Sequence, residues 1–239
     1  MKFIREHILF FILLGSSILL RFLPLFDYQF TLDELSGLNR TRFDSFSDLL
    51  EQGVKIDAHP ALIQLLIFVL VKLFGYSTWI IKLPFLLFSL GATVYAYCFG
   101  WRYFSKPVGL FAALFLSFSL VFVFYAPIAR MYISGVFFSM ALLYHCYAVF
   151  FLKSSKTLDF VCIGLFALLS ALNQHINGLF ALSLCASGLF YLNKTTVKPY
   201  LITCGITVLA YLPHLPITLY QLGLGGIGLE QGGWLEKPE

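Results

Sequence analysis

Residues 59–74 read His59-Pro60-ALIQLLIFVLVKLF, and the fold turns on whether Ala61–Phe74 crosses a membrane. The run is apolar, but it is only fourteen residues long and contains Lys72. A helix needs about 20 apolar residues to cover ~30 Å of hydrocarbon, so a run this short suits the interface as well as a crossing. The other apolar runs, 8–24, 79–101, 108–126, 130–152, 157–173, 176–192 and 200–221, are each near spanning length. The basic loops arbitrate. With 61–74 lying flat, the turns Arg102–Lys106, Lys153–Lys156 and Lys194–Lys198 fall on the side that holds Lys2 and Arg5. Cytoplasmic loops carry the excess of Lys and Arg, so this arrangement is the favoured one, and an eighth crossing sends all three loops outward. The expected fold is all-α: a polytopic transmembrane helical bundle of about seven spans, with its N-terminus cytoplasmic in the cytoplasmic (inner) membrane.

Composition agrees with a membrane protein. The chain is 59% hydrophobic and 12% charged, against about 25% charged in soluble domains. A net charge of +4, scattered along the chain, gives no basis for nucleic acid as a partner and leaves membrane lipid as the surroundings. Cys98, Cys146, Cys162, Cys185 and Cys204 all sit in apolar runs at no metal-binding spacing, and read as small packing residues. The basic start and the run Ile8–Leu20 resemble a signal peptide, but Arg21-Phe22-Leu23-Pro24 offers no small-residue cleavage site. The segment reads as a retained first helix. The end, Trp234–Glu239 after a glycine-rich stretch, reads as a chain that stops mid-protein within a single module spanning 1–239.

Between the first span and Ala61 lies a polar island, Phe26–Pro60. It carries Asp27, Asp33, Glu34, Asp44, Asp48, Glu51 and Asp57, seven of the chain's 12 acidic residues. Charges are costly in hydrocarbon, so the outer loop 25–78 lies outside the membrane core. Within it Phe43, Phe46, Leu49 and Leu50 recur at helical spacing, with Asp44 or Ser45 as cap and Gly53 beyond the end. This predicts a short amphipathic juxtamembrane helix, with 61–74 as a second. Seven spans also bring the island, Ala129–Tyr132, Asn173–Gly178 and the C-terminal loop to one outward face.

Several residues on that face carry chemistry. Asp33 and Glu34 are adjacent, so they point in different directions. One can serve a cleft as a general base on a hydroxyl or amine, or Asp33 can help hold a divalent cation. The alternative is a pair of acids set against a helix dipole. His59 precedes Pro60, which biases its backbone to an extended form and predicts a helix starting at the proline. Asp57 and His59 then lie on one side of that segment, or form an ordinary polar approach to a helix. Arg130 breaks the positive-inside pattern by standing between two apolar runs on the outer side. A phosphate ligand explains it, since guanidinium binds phosphate oxygens bidentately, and Tyr125 and Tyr132 add hydroxyls. The alternative is a snorkelling interfacial arginine. His175 sits in the polar turn Asn173-Gln174-His175-Ile176-Asn177. Lys72 and Lys82 lie near the same face as candidates for lipid headgroups. The glycines Gly223, Gly225, Gly226, Gly228, Gly232 and Gly233 before Trp234 predict a flexible outer loop able to cover a site.

The order is a first helix, Asp33-Glu34, His59-Pro60 opening an apolar stretch, Ala129-Arg130-Met131-Tyr132, then His175-Ile176-Asn177-Gly178. It resembles the GT-C superfamily of polyprenyl-phosphate-sugar glycosyltransferases, in the branch related to protein O-mannosyltransferases and the lipid A aminoarabinose transferase. The resemblance covers the N-terminal half of such proteins, with His59-Pro60-Ala61 where they often read His-Pro-Pro. It implies transfer of a sugar from a polyprenyl-phosphate-linked donor to a cell-envelope acceptor outside the cytoplasmic membrane. Asp33 matches the first-loop acid, the catalytic or acceptor-positioning carboxylate, and Glu34 matches its neighbour. His59 matches the His-Pro element, Arg130 and Tyr132 match the Arg-x-Tyr element facing the cleft, and His175 falls where a residue suited to the lipid phosphate stands. Two rivals remain. A membrane transporter is disfavoured because the charges cluster at helix ends rather than midspan. A non-catalytic or degenerate membrane half-protein is the other.

Overall fold

The computed structural model describes residues 6–25 and 27–230, with 224–230 as helix backbone alone. Lys2, Arg5, Gly232, Gly233 and Trp234 lie outside the described residues. The described residues are mostly helical, without a strand. Its principal helices are α1 (Ile8–Phe22), α2 (Leu32–Asn39), α3 (Leu62–Phe74), α4 (Thr78–Tyr103), α5 (Lys106–Phe118), α6 (Leu120–Tyr125), α7 (Met131–Phe150), α8 (Thr157–Asn173), α9 (His175–Gly188), α10 (Val197–Tyr211) and α11 (Leu215–Glu230). Thr78–Tyr103, Met131–Phe150 and Val197–Gly223 are each long and apolar enough to cross a membrane, and the shorter apolar helices surround them. The protein is an all-α helical membrane bundle.

α7 is the centre. It packs against α4, α8 and α9, while α1 lies across α4 and α5. One core gathers Leu142, Cys146, Val149 and Ile163 between α7 and α8. A second, around Ile67, Ile81, Phe85 and Ile133, forms where α3, α4 and α7 meet. The five cysteines are free; Cys146 is core, and Cys185 and Cys204 face a cavity described below.

α3 settles how the first loop is threaded. At its start, Gln64 donates to Asp57 at 2.8 Å and the Ala61 N–H donates to His214. At its end, Lys72 pairs with Asp44 at 3.6 Å. One turn into α4, Lys82 is bonded to Glu34 of α2. Both ends of α3 therefore touch the polar island, and α4 starts its descent from the same end of the bundle. The basic turns gather at the other end, where Arg102 donates to Tyr144, Lys106 to the Glu6 carbonyl and Lys153 to the Tyr191 carbonyl.

Three local expectations change. The island's amphipathic helix is a single turn, Phe46–Asp48, capped by Ser45, which widens into a π-helix over Leu49–Val54. Gly53 lies inside that turn rather than beyond it, because the chain passes under the Arg40 carbonyl; a Cβ there stands 2.6 Å from that oxygen. α3 starts at Leu62 behind an Ala61 cap instead of at Pro60. The glycines expected in a loop, Gly223 to Gly228, continue α11 as helix.

α1 contributes a fully buried arginine. Arg21 donates to Ser89 Oγ at 2.8 Å, Ser17 Oγ at 2.5 Å, Leu116 O at 2.7 Å and Ser117 O at 3.0 Å. Those two carbonyls are the ones left open where α5 breaks at Ser119 before α6 resumes. The guanidinium thus satisfies a helix break inside the bundle, where a lone carbonyl is expensive.

Candidate functional site

α2 begins with a reciprocal cap. The Glu34 N–H donates to Thr31 Oγ1 at 3.3 Å and the Thr31 N–H donates to Glu34 Oε2 at 2.8 Å. The other Glu34 oxygen, Oε1, accepts from Lys82 Nζ at 2.5 Å and from the Ala129 N–H at 2.8 Å. Lys82 also donates to the Pro127 carbonyl at 3.1 Å. Glu34 is 1% exposed and Lys82 equally so. This buried ion pair joins α2, α4 and the 127–130 turn, and it sets the register of the residues on either side. Lys82 is therefore no headgroup ligand: its amine is inside, committed to Glu34.

One residue earlier on α2, Asp33 turns the other way and stays open, its side chain 42% exposed. Tyr132 Oη donates to Asp33 Oδ2 at 3.0 Å, and Arg130 Nε lies 3.2 Å from Oδ1. The Arg130 contact is an ion pair without hydrogen-bond alignment, so Nε is buried with its proton unmet. Arg130 reaches this place by lying over the backbone of Gly37, where any Cβ meets Nη1 at 2.9 Å. Tyr125 packs edge-on against Tyr132, with ring centroids 5.1 Å apart.

Asp57 is buried and holds the loop itself. It pairs with Arg40 and accepts from the Ala58 N–H and Gln64. Burial alone pushes its carboxyl up, but the Arg40 hydrogen bond and charge, with Gln64, hold it below the usual range. His59 is pushed below its ordinary value by burial and by the nearby Arg130 and His175, against the pull of Asp57 and Asp33. Its ring thus stands among the groups of the cleft as a neutral imidazole at pH 7. The His59 carbonyl accepts from Gln221 of α11, as does the Val54 carbonyl.

His175 opens α9 and lies beside Gln221; its Nε2 is buried without a partner. Below it α9 and α10 each pack on α8, and between them opens a cavity of about 1040 Å³. Apolar groups such as Ala171, Ala181, Cys185 and Tyr200 line it, with His175 and Thr218 at its site end. Beneath Arg130, Asn173 donates to the Met131 carbonyl at 2.9 Å and accepts from Ser134 at 2.7 Å, tying α8 to the start of α7.

Asp33, Arg130, Tyr132, His59 and His175 thus come together at one end, with Glu34 and Asp57 turned inward as supports. A divalent cation does not fit Asp33: Glu34 faces Lys82, Arg130 faces Asp33, and among the described residues no three His, Cys, Asp or Glu side chains gather. The sequence reading gave Lys82 a different role, as a headgroup ligand, and missed Gln221. Lys82 signalled itself as a charge in an apolar helix, which demands a partner. Gln221 carried only the weaker signal of a lone amide in an apolar run.

An open carboxylate paired with an arginine thus stands at one end of a helical membrane bundle, and an apolar cavity lined in part by His175 opens between two of its helices. Residues 58–217 match the family model of the dolichyl-phosphate-mannose-protein mannosyltransferases, and the chain belongs to that family. It is a membrane glycosyltransferase of the GT-C type. The matched stretch holds His59, Arg130, Tyr132 and His175 and begins after the Asp33-Glu34 pair. Comparison with curated proteins and with solved structures returns no match.

Proposed function

We propose that the protein transfers a sugar from a polyprenyl-phosphate donor to a cell-envelope acceptor at the outer face of the cytoplasmic membrane. The observation that carries this reading is the joining of an open carboxylate, Asp33, to a buried guanidinium, Arg130, in a bundle that also opens an apolar cavity lined in part by His175. The prenyl tail lies in the cavity between α9 and α10. The phosphate is held by Arg130, whose unmet Nε–H supplies a donor in a low-dielectric site where it acts strongly. Asp33 takes the proton of the acceptor hydroxyl or amine as that atom bonds to the anomeric carbon. The bond from the anomeric carbon to the phosphate oxygen breaks at the same time, and polyprenyl phosphate leaves with its negative charge on the Arg130 side. One inversion at the anomeric carbon follows from this single displacement. Tyr132 orients the carboxylate, and the Glu34–Lys82 pair fixes Asp33 and Arg130 relative to each other.

The test is Asp33→Asn. It keeps a Tyr132 contact and loses the base, so transfer falls by about 10²–10⁴-fold while the variant folds and binds donor. Transfer assayed with a radiolabelled polyprenyl-phosphate sugar reads the effect. Full activity in Asp33→Asn removes Asp33 from the proton transfer.

A further inference from the structure

Gln221 has an orientation that the surrounding backbone dictates. It is 5% exposed, and its Nε2 donates to Val54 O and to His59 O, both at 2.8 Å. Carbonyl oxygens only accept, so the amide cannot be turned over, and Oε1 faces away from both. That oxygen is buried and receives no hydrogen bond. His175 Nε2 is also buried without a partner, and the two side chains are neighbours that miss hydrogen-bond geometry with each other. An unmet acceptor and an unmet imidazole nitrogen therefore stand side by side, with His175 on the lining of the apolar cavity and, like Asp33 and Arg130, near enough to His59 to act on its charge.

We propose that Gln221 and His175 form a subsite for one hydroxyl of the transferred sugar. The chemistry selects the ligand. Gln221 Oε1 requires a donor, which an ionised phosphate oxygen cannot be. A hydroxyl gives one hydrogen and accepts others, so a single sugar hydroxyl donates to Gln221 Oε1 and accepts from His175 Nε2–H. This assigns His175 to the sugar rather than to the lipid phosphate, which stays with Arg130. A site built on a buried polar pair discriminates sharply, because an analogue lacking the group leaves both partners unpaired.

The inference rests on the transferase reading, and one experiment separates the two. Binding is measured by thermal shift and turnover by product formation, with polyprenyl-phosphate mannose and the four singly deoxygenated versions of its mannosyl group. The proteins are the wild type, His175→Phe and Gln221→Met. One deoxy donor is expected to bind the wild type about 10–100-fold more weakly than the parent, and this penalty to shrink to about threefold or less in both variants. His175→Phe leaves both Gln221 amide bonds in place, so it reads the hydroxyl contact without untying α11, and it decides alone should Gln221→Met not fold. Equal binding of all four deoxy donors and the parent overturns the subsite while the transferase reading stands. So does a penalty that persists in His175→Phe. No binding of the parent donor to the wild type overturns both.

Discussion

Neighbouring carboxylates on α2 meet different fates because successive residues on a helix diverge by about 100°. Glu34 points into the bundle onto Lys82, and Asp33 points to the cleft. Removing one partner of a buried pair strands the other's charge, so Lys82→Met is expected to cost about 3–5 kcal/mol. Glu34→Leu combined with Lys82→Met removes both charges and is expected to lose less than the sum of the single changes. Denaturation in detergent measures all three, and a Lys82→Met protein as stable as the wild type refutes the clamp. Asp57 gives a pH signature of known sign. Its carboxyl sits below the usual range in the folded protein, so its contribution is complete above the ordinary value, about 3.9, and disappears as pH falls through the lowered one. The gap in melting temperature between wild type and Asp57→Asn should therefore be constant at neutral pH and narrow in acid. A gap that widens in acid contradicts it. Asp33, Arg130 and Tyr132 were legible from sequence because they are polar groups at the ends of apolar runs. Lys82 and Gln221 were not, because a lone polar residue inside such a run does not say which distant group satisfies it.

Among the elements, the α5–α6 break was read as one continuous span, 108–126. Nothing in Leu116–Ser119 forbids a helix, and the break becomes stable only because Arg21 reaches across from α1 to the two freed carbonyls. Arg21→Met leaves both carbonyls unmet, at about 1–3 kcal/mol each, so the variant should unfold about 2–6 kcal/mol more easily. Arg21→Lys keeps a charged donor but loses the planar fork that reaches both carbonyls, and is expected to fall between. Thermal melts of the purified variants check the order, and a wild-type melt for Arg21→Met removes the stitch. The remaining elements followed their apolar runs closely. α1, α4, α7, α8 and α9 lie within a few residues of the predicted spans, since burial in hydrocarbon leaves a backbone little choice but helix, while the predicted span 200–221 is divided between α10, the turn Leu212–His214 and α11.

For the whole molecule, the decisive feature is that α3 returns to the end from which it started. If the island end faces outward, a single cysteine at Ser45 reacts with an impermeant thiol reagent in intact cells, and one at Ser105 reacts only after the membrane is opened. Reaction at Ser105 in intact cells reverses the assignment and separates the site from an external acceptor. The same geometry places the basic turns together at the far end, as the Lys and Arg distribution requires.

Sequence alone determined that this is a membrane protein, where most of its long helices run, and which residues with charge or an imidazole stand at the ends of its apolar runs. Those properties follow from hydropathy and charge, which act residue by residue against the bilayer. Only tertiary structure decided that Asp33 is the open carboxylate and Glu34 the clamp, that Lys82 is committed to the interior, and that Gln221 presents a fixed acceptor beside His175. Partner choice among buried polar groups depends on which helices touch, and contacts between residues 48 to 167 positions apart leave no local pattern in the chain.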